Sequence, residues 1–384
     1  MFNANHNNFI KDKLKEISKK NQFRDIITTE RKRYNQVFRG NKKYISFSCN
    51  DYLSLSLNRK VINASVKASK KYGAGAGASR LITGSNPLYN KLEVLLTKFK
   101  KVEACCIFGS GYLANLGVIS ALSSKDDLIL IDELSHSSTY LGTKLTNSKI
   151  VKYQHNDMDD LEDKLEKYRK KYKKCSIITE GIFSMDGDIS PQDKISKLSK
   201  KYNAFFILDD AHGLGVVGDG TGSNTIFKKE NIKIDVYIGT LSKSIGSYGG
   251  FVCGSKHLIN FLINRCRTQI YTTGLPPSVL AASIEAIKII KLKKNLFKKP
   301  LKNARYFCDL IGFDDPESPI VPIIFKDEKK TLAIANYLMK KGFLVGAIRP
   351  PTVPANSSRL RLAFNASHTK NQIKELAKNI KIFI

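Results

Sequence analysis

Short apolar runs alternate with longer amphipathic stretches through most of this chain. Cys105–Phe108, Leu128–Asp132, Ile150–Tyr153, Ser176–Glu180, Phe205–Asp209, Val236–Thr240 and Gly250–Cys253 are compact and β-prone. Near-continuous apolar runs of this length read as strands covered on both faces, since half-solvated strands alternate residue by residue. Helical patterns lie between most of them, for instance Met158–Tyr172 and Ile195–Tyr202. This alternation predicts an α/β fold, a large domain built on a mostly parallel sheet with helices on both faces. Upstream, residues 1–43 read as an arm made of a polar helix (Lys11–Lys20) and a loop (Arg24–Arg39), ahead of a first strand at Tyr44–Cys49. A long helical pattern over Ser278–Leu296 leads out of the α/β region. The rest reads as a smaller α+β domain with strands near Val321–Phe325 and Arg359–Phe364. The expected organisation is therefore an arm over 1–43, a large domain over 44–285 and a small C-terminal domain over 286–384.

Ligands of such sheets bind beyond the carboxyl ends of the strands, so the residues that follow each strand are the candidates for chemistry. Phe205–Asp209 is followed by Asp210-Ala211-His212-Gly213. A carboxylate there can keep a pyridine nitrogen protonated, and His212 can reach the ring's phenolic oxygen; a strand-terminal Asp can equally cap the next turn. After Val236–Thr240 comes Leu241-Ser242-Lys243. A lysine withdrawn from water has a depressed pKa and attacks aldehydes, although a loop lysine on the surface gives the same string. Gly109-Ser110-Gly111-Tyr112 follows Cys105–Phe108 and opens a helix. That arrangement offers backbone N–H groups to a phosphate, or serves packing alone. Gly73–Gly77 is equally open between an active-site loop and a flexible turn.

Composition narrows the class. The chain has 384 residues, 42% of them hydrophobic and 26% charged, within the range of soluble globular proteins. No apolar run approaches the roughly 18–20 residues that span a bilayer, and Met1–Lys20 has no apolar signal core, so a cytoplasmic enzyme without a membrane partner is expected. The formal charge of +30 invites a nucleic-acid reading. Most of the basic residues, however, are lysines scattered along the whole length, which points to compositional bias and not to a binding stripe. A basic surface still attracts an acidic protein or a phosphate-bearing substrate. Cys49, Cys105, Cys106, Cys175, Cys253, Cys266 and Cys308 are odd in number and form no CxxC. Reduced thiols are expected, and no metal site.

Taken together the strings are specific. Ser48-Cys49-Asn50-Asp51-Tyr52-Leu53, Ser110-Gly111-Tyr112 with Ala114-Asn115, Leu134-Ser135-His136-Ser137-Ser138, His155-Asn156-Asp157, Phe183-Ser184-Met185-Asp186-Gly187-Asp188, Asp209-Asp210-Ala211-His212-Gly213, Thr240-Leu241-Ser242-Lys243 and Ile270-Tyr271-Thr272-Thr273 with Pro276-Pro277 resemble those of the α-oxoamine synthases. These are fold-type-I transferases that use pyridoxal 5'-phosphate (PLP). The resemblance runs from about residue 44 to 370. It implies that Lys243 carries PLP and moves a proton, that His136 stacks on the ring and meets substrate, that Asp209 pairs with the ring nitrogen and that His212 contacts the phenolic oxygen. Gly111, Tyr112, Ser184 and Thr240 would line the cofactor. Thr272 or Thr273 would reach the phosphate of a second subunit in a homodimer.

Ala347-Ile348-Arg349-Pro350-Pro351-Thr352-Val353-Pro354, followed by Ser358-Arg359-Leu360-Arg361-Leu362, resembles the branch that condenses L-alanine with a pimeloyl thioester in biotin synthesis. The thioester is carried by an acyl carrier protein or by coenzyme A. On that resemblance Arg361 with Asn50 binds the amino-acid carboxylate, Arg24 meets the distal carboxylate of the acyl chain, and Thr352 lines the same site. Arg359 and Arg361 could instead form surface ion pairs, and the glycine-using members of the family remain the alternative. Tyr89 stands where the family often has His.

Overall fold

The computed structural model describes residues 4–293 and 295–384, so Met1–Asn3 of the expected arm lie outside the described residues. Its centre is a seven-stranded sheet in the order Ala104–Phe108, Gly250–Gly254, Val236–Thr240, Phe205–Asp209, Cys175–Glu180, Leu128–Asp132, Lys149–Tyr153. Gly250–Gly254 runs antiparallel to both neighbours, and the remaining pairs are parallel.

Successive side chains of these strands point to opposite faces, and each face has its own core. Leu128, Leu130, Ile177, Phe206 and Leu208 join one cluster with helix residues Leu161, Ile195, Ala286 and Ile290. Ile129, Ile131, Ile178, Ile207 and Ile238 join another with Val118, Ile119, Ile259 and Leu262. Apolar residues fill both alternations, which is why the strands read as unbroken apolar runs.

The C-terminal unit packs helices Lys298–Ile311, Glu328–Lys340 and Lys370–Ile380 on an antiparallel sheet of order Ile320–Lys326, Ser358–Ala363, Gly346–Ile348. Its core holds Phe307, Ile323, Leu338, Leu360, Leu362, Phe364 and Leu376. Phe47 belongs to this core as well, because Lys42–Ser46 pairs in parallel with Phe343–Leu344. The helix Pro277–Leu292 passes position 285 without a break and keeps Ala286, Ile287, Ile289 and Ile290 in the large core.

Two expectations are corrected. The loop expected over Arg24–Arg39 contains a hairpin, Glu30–Arg33 with Gln36–Arg39, that extends Lys42–Ser46 into a four-stranded sheet. The strand Glu30–Arg33 is charged and mostly exposed, so it carries no apolar alternation to betray it. The turn is fixed by Tyr34 at φ 37° and by buried Asn35, whose amide donates to Gln372 Oε1 at 2.8 Å. The helix expected to reach Tyr172 ends at Tyr168 and tightens into one 3₁₀ turn over Arg169–Lys171. No described helix is long and apolar enough to cross a membrane.

Candidate active site

The register of the parallel strands sets Glu180 beside Asp209 and Asp209 beside Ile238. The carboxyl ends of neighbouring strands thus present Asp132, Glu180, Asp209 and Thr240 along one edge, facing the seam with the C-terminal unit. Asp209 is buried, its Oδ2 accepting from Asn115 Nδ2 at 2.6 Å and its Oδ1 from the Ala211 N–H at 3.0 Å. Beside it, burial drives Glu180 far above the usual carboxylate range and the Asp209 charge adds to the shift. Its Oε1 accepts from the His136 N–H.

Lys243 lies just past Thr240, half-buried. Desolvation pulls its amine down to about 8, against the opposing attraction of Asp209 and Glu180, so a neutral amine is populated near physiological pH. His136 sits in the open cleft as the N-cap of the helix Ser137–Lys144. Its Nδ1 accepts from the Ser138 N–H at 3.2 Å and bonds Ser138 Oγ at 2.7 Å. Desolvation lowers its pKa, with the Lys243 charge adding and Asp209 opposing. His212 is buried, and desolvation followed by the charges of Lys243 and Arg361 holds it well below the ordinary histidine range. Its Nδ1 is bonded to Tyr52 Oη at 2.8 Å, which leaves Nε2 as the nitrogen for a ligand.

Ser110 caps the helix Gly111–Leu122 by accepting from the Leu113 N–H at 3.1 Å. The N–H groups of Gly111 and Tyr112 belong to the first turn, where a helix has no internal partner for them. A Cβ on Gly111 would sit 3.5 Å from Thr240 Cβ, so the helix start and the Thr240–Ser242 hydroxyls, 2.7 Å apart, form one cradle. Thr272 lies near it, its methyl 3.6 Å from the Cβ position of Gly109 and its hydroxyl donating to Thr268 O at 2.7 Å. Thr273 lies in an isolated antiparallel bridge with Ser79.

From the C-terminal unit, the buried strand Ser358–Ala363 sends two arginines into the seam. Arg361 donates from Nε to Ser184 O, from Nη1 to Asn50 Oδ1 at 3.2 Å and from Nη2 to Tyr52 Oη at 3.5 Å. Arg359, also buried, pairs with Asp186, so the surface-ion-pair alternative fails for both. In the arm, exposed Arg24 donates to Thr352 Oγ1 at 2.9 Å. Arg349 donates to Phe23 O at 3.5 Å, tying the arm to the C-terminal loop. Tyr89 is buried beneath the Arg80 guanidinium, 3.9 Å from its ring centre. Its hydroxyl accepts from the Leu275 N–H at 2.5 Å. Tyr89 thus anchors the segment that carries Thr272 and Thr273.

The structure adds residues that sequence reasoning left without a role: Tyr52, Asn115, Ser138, Glu180 and His155. All but Glu180 lie inside the motif strings, and Glu180 ends a strand as Asp209 does. His155 bonds Asp132 Oδ1 at 3.0 Å through Nδ1 and Asp188 Oδ2 at 2.8 Å through Nε2. Two carboxylate acceptors require both ring N–H groups, hence an imidazolium. Burial opposes that charge, but the hydrogen bonds to Asp132 and Asp188 outweigh it and lift the pKa to about 10. A raised pKa stabilises the fold fully below the unfolded histidine's value of about 6.5, and the contribution is lost as pH rises through 10. We expect His155→Ala to cost about 3 kcal/mol at pH 7 by removing the one positive charge that balances two carboxylates. In urea unfolding series the gap to wild type should close by pH 11; a gap that stays constant from pH 7 to 11 would refute the charged clamp.

The donor set fits PLP. It offers an amine able to bond an aldehyde, a carboxylate for a ring nitrogen, an imidazole for a phenolic oxygen, and a glycine-made cradle of N–H groups and hydroxyls for a phosphate.

Comparison with known proteins agrees. The family described as aminotransferase class I and II matches residues 42–380. An 8-amino-7-oxononanoate synthase from Beijerinckia indica is 46% identical over 336 residues, covering 88% of this chain and 87% of the relative. Among solved structures, a serine palmitoyltransferase variant from S. paucimobilis with a bound PLP–myriocin aldimine superposes with a TM-score of 0.91 at 28% identity. That match covers 100% of this chain and 98% of the other. An 8-amino-7-oxononanoate synthase from Francisella tularensis superposes at 0.76 and 28% identity, covering 88% and 97%. The chain therefore belongs to the class I and II aminotransferase family of PLP-dependent fold-type-I enzymes, and within it to the acyltransferases that include the 8-amino-7-oxononanoate synthases.

Proposed function

We propose that the enzyme condenses L-alanine with a pimeloyl thioester to give 8-amino-7-oxononanoate, CO2 and the free thiol carrier, a step of biotin biosynthesis. The observation that carries this reading is the Arg24–Thr352 contact: it sets a second cation, distinct from Arg361, beside the C-terminal loop, and such a cation suits an acyl chain that ends in a second carboxylate. A carbon–carbon bond forms between the alanine Cα and the thioester carbonyl, the thiolate leaves, CO2 departs, and a proton returns to Cα.

PLP, when bound, supplies the electron sink for the pair left on Cα. Lys243 holds it and carries the Cα proton, a task suited to an amine titrating near 8. Asp209 keeps the ring nitrogen protonated, His212 donates to the phenolic oxygen, and His136 covers the ring face and meets substrate. Gly111, Tyr112 and Thr240 hold the phosphate, with Ser184 lining the cofactor. Arg361 and Asn50 grip the alanine carboxylate.

The active form is a homodimer in which Thr272 or Thr273 reaches the phosphate bound by the partner. Leu81, Ile82, Tyr248 and Tyr271 are exposed on the described chain, Tyr271 by 74%, and support an apolar contact there. Seven free thiols, six of them buried, suit a reducing cytoplasm. The carrier is an acyl carrier protein or coenzyme A, both acidic and both suited to a surface of charge +30.

The test crosses alanine and glycine with pimeloyl, acetyl and succinyl thioesters of both carriers, following product by mass spectrometry. Alanine with a pimeloyl donor should exceed every other pair by about 100-fold or more, the scale of a lost charge contact. Faster turnover of glycine with a short acyl donor overturns the reading in favour of the glycine-using branch.

A further inference from the structure

We propose that Asn115 is a positioning residue that places Asp209 and His136 relative to one another, through a single side-chain amide. The inference rests on the reading that those two residues contact PLP.

An amide NH2 has two hydrogens to give, and Asn115 gives both. One goes to Asp209 Oδ2 at 2.6 Å and the other to Ser138 Oγ at 3.1 Å. With the Ala211 N–H on Oδ1, both oxygens of Asp209 are held, so its carboxylate plane cannot rotate freely. Ser138 Oγ, having accepted from Asn115, turns its own hydrogen to His136 Nδ1, which also receives the Ser138 N–H. Nδ1 is thereby fixed as the acceptor, and the proton of the neutral imidazole is sent to Nε2. One amide fixes the carboxylate assigned to the ring nitrogen, and also the tilt and tautomer of the imidazole assigned to the ring face.

Two further observations argue against a packing role alone. Asn115 Oδ1 is buried without a hydrogen-bond partner among the described residues. Leaving a buried carbonyl unpaired is costly, so the side chain is oriented for its NH2 end. Its backbone seat is equally specific. A Cβ on Gly142 would lie 3.0 Å from Asn115 O, so Gly142 lets the helix Ser137–Lys144, with His136 at its cap, close onto Asn115. A neutral donor also suits the task. It steadies the Asp209 carboxylate without cancelling the charge that the ring nitrogen needs, as lysine or arginine would; aspartate would have no hydrogens for either acceptor.

The experiment compares Asn115→Ala, Asn115→Asp and Ser138→Ala with the wild-type enzyme. PLP affinity is measured by equilibrium dialysis, and the pH titration of visible absorption is recorded at saturating PLP. We expect both Asn115 variants to lose about tenfold or more in PLP affinity, the usual effect of removing an outer partner. The absorption midpoint should rise by about one pH unit, because an unsteadied Asp209 takes more of the ring proton and leaves the ring less electron-withdrawing. Ser138→Ala, which cuts only the histidine branch, should shift the midpoint less. The losses of Asn115→Ala and Ser138→Ala should be non-additive when combined. If Asn115→Ala fails to fold, Asn115→Asp carries the same two readouts. A folded Asn115 variant with wild-type affinity and midpoint overturns the proposal, as do independent effects at 115 and 138. Failure of the underlying reading is seen separately: Asp209→Asn would then leave the absorption titration unchanged.

Discussion

Lys243→Ala will leave a folded protein that still admits PLP but forms no product, with a loss of at least about 10⁴-fold in turnover. The size of the effect follows from the two roles proposed for one amine. Lys243 follows Thr240, the last residue of a fully buried strand, so its Cα is placed as rigidly as the sheet. Desolvation holds it near 8 although Asp209 and Glu180 pull the other way, a balance that keeps the amine available both to bond an aldehyde and to take a proton. Lys100, whose amine burial likewise brings to about 8, is committed to Thr221 O, Asn224 Oδ1 and the face of Tyr237. Borohydride should fix PLP on wild-type protein at Lys243 alone, read by peptide mass spectrometry, and leave the Lys243→Ala chain unlabelled. The rate at which cofactor-free wild type captures PLP should rise with pH through about 8. Retained turnover in Lys243→Ala, or label on another lysine, would end the assignment.

The parts of this site that were legible in the sequence are those fixed by local rules. Asp209, Lys243 and Gly111 follow apolar runs too continuous to be anything but covered strands, and the carboxyl ends of such strands are where sheets of this class bind ligands. The hairpin over Glu30–Arg39 was hidden because Glu30–Arg33 lies on a sheet edge with its charged side chains in solvent. Roles that depend on strand order were hidden for another reason. His155 meets Asp132 and Asp188 only because Leu128–Asp132 lies between Lys149–Tyr153 and Cys175–Glu180, an order that no spacing along the chain encodes. Arg359 and Asp186 are 173 residues apart and come together only when the C-terminal unit docks. Asn115, too, stood in a visible motif, but its work lies in which two acceptors the folded chain places before its amide.

Arg361→Lys will raise the KM for alanine by about 100-fold while leaving PLP affinity and the KM for the thioester near wild type. The guanidinium has five N–H groups. Ser184 O takes the one on Nε, Asn50 Oδ1 one on Nη1 and Tyr52 Oη one on Nη2. One hydrogen remains on each terminal nitrogen, a pair able to grip a carboxylate at two points, as proposed for alanine. The three occupied donors make the plane of that grip a property of the fold and not of the ligand. A lysine keeps the charge but offers a point contact that rotates, so the alanine Cα–H no longer stands in one direction relative to Lys243. Part of the loss should therefore fall on kcat, since orientation governs the proton transfer itself. Arg361→Ala should lose about ten times more than the lysine variant, because it also strands the polar groups that converge on the guanidinium. An Arg361→Lys enzyme with wild-type KM for alanine would place the carboxylate elsewhere in the cleft, and the seam between the two units would lose its part in recognition.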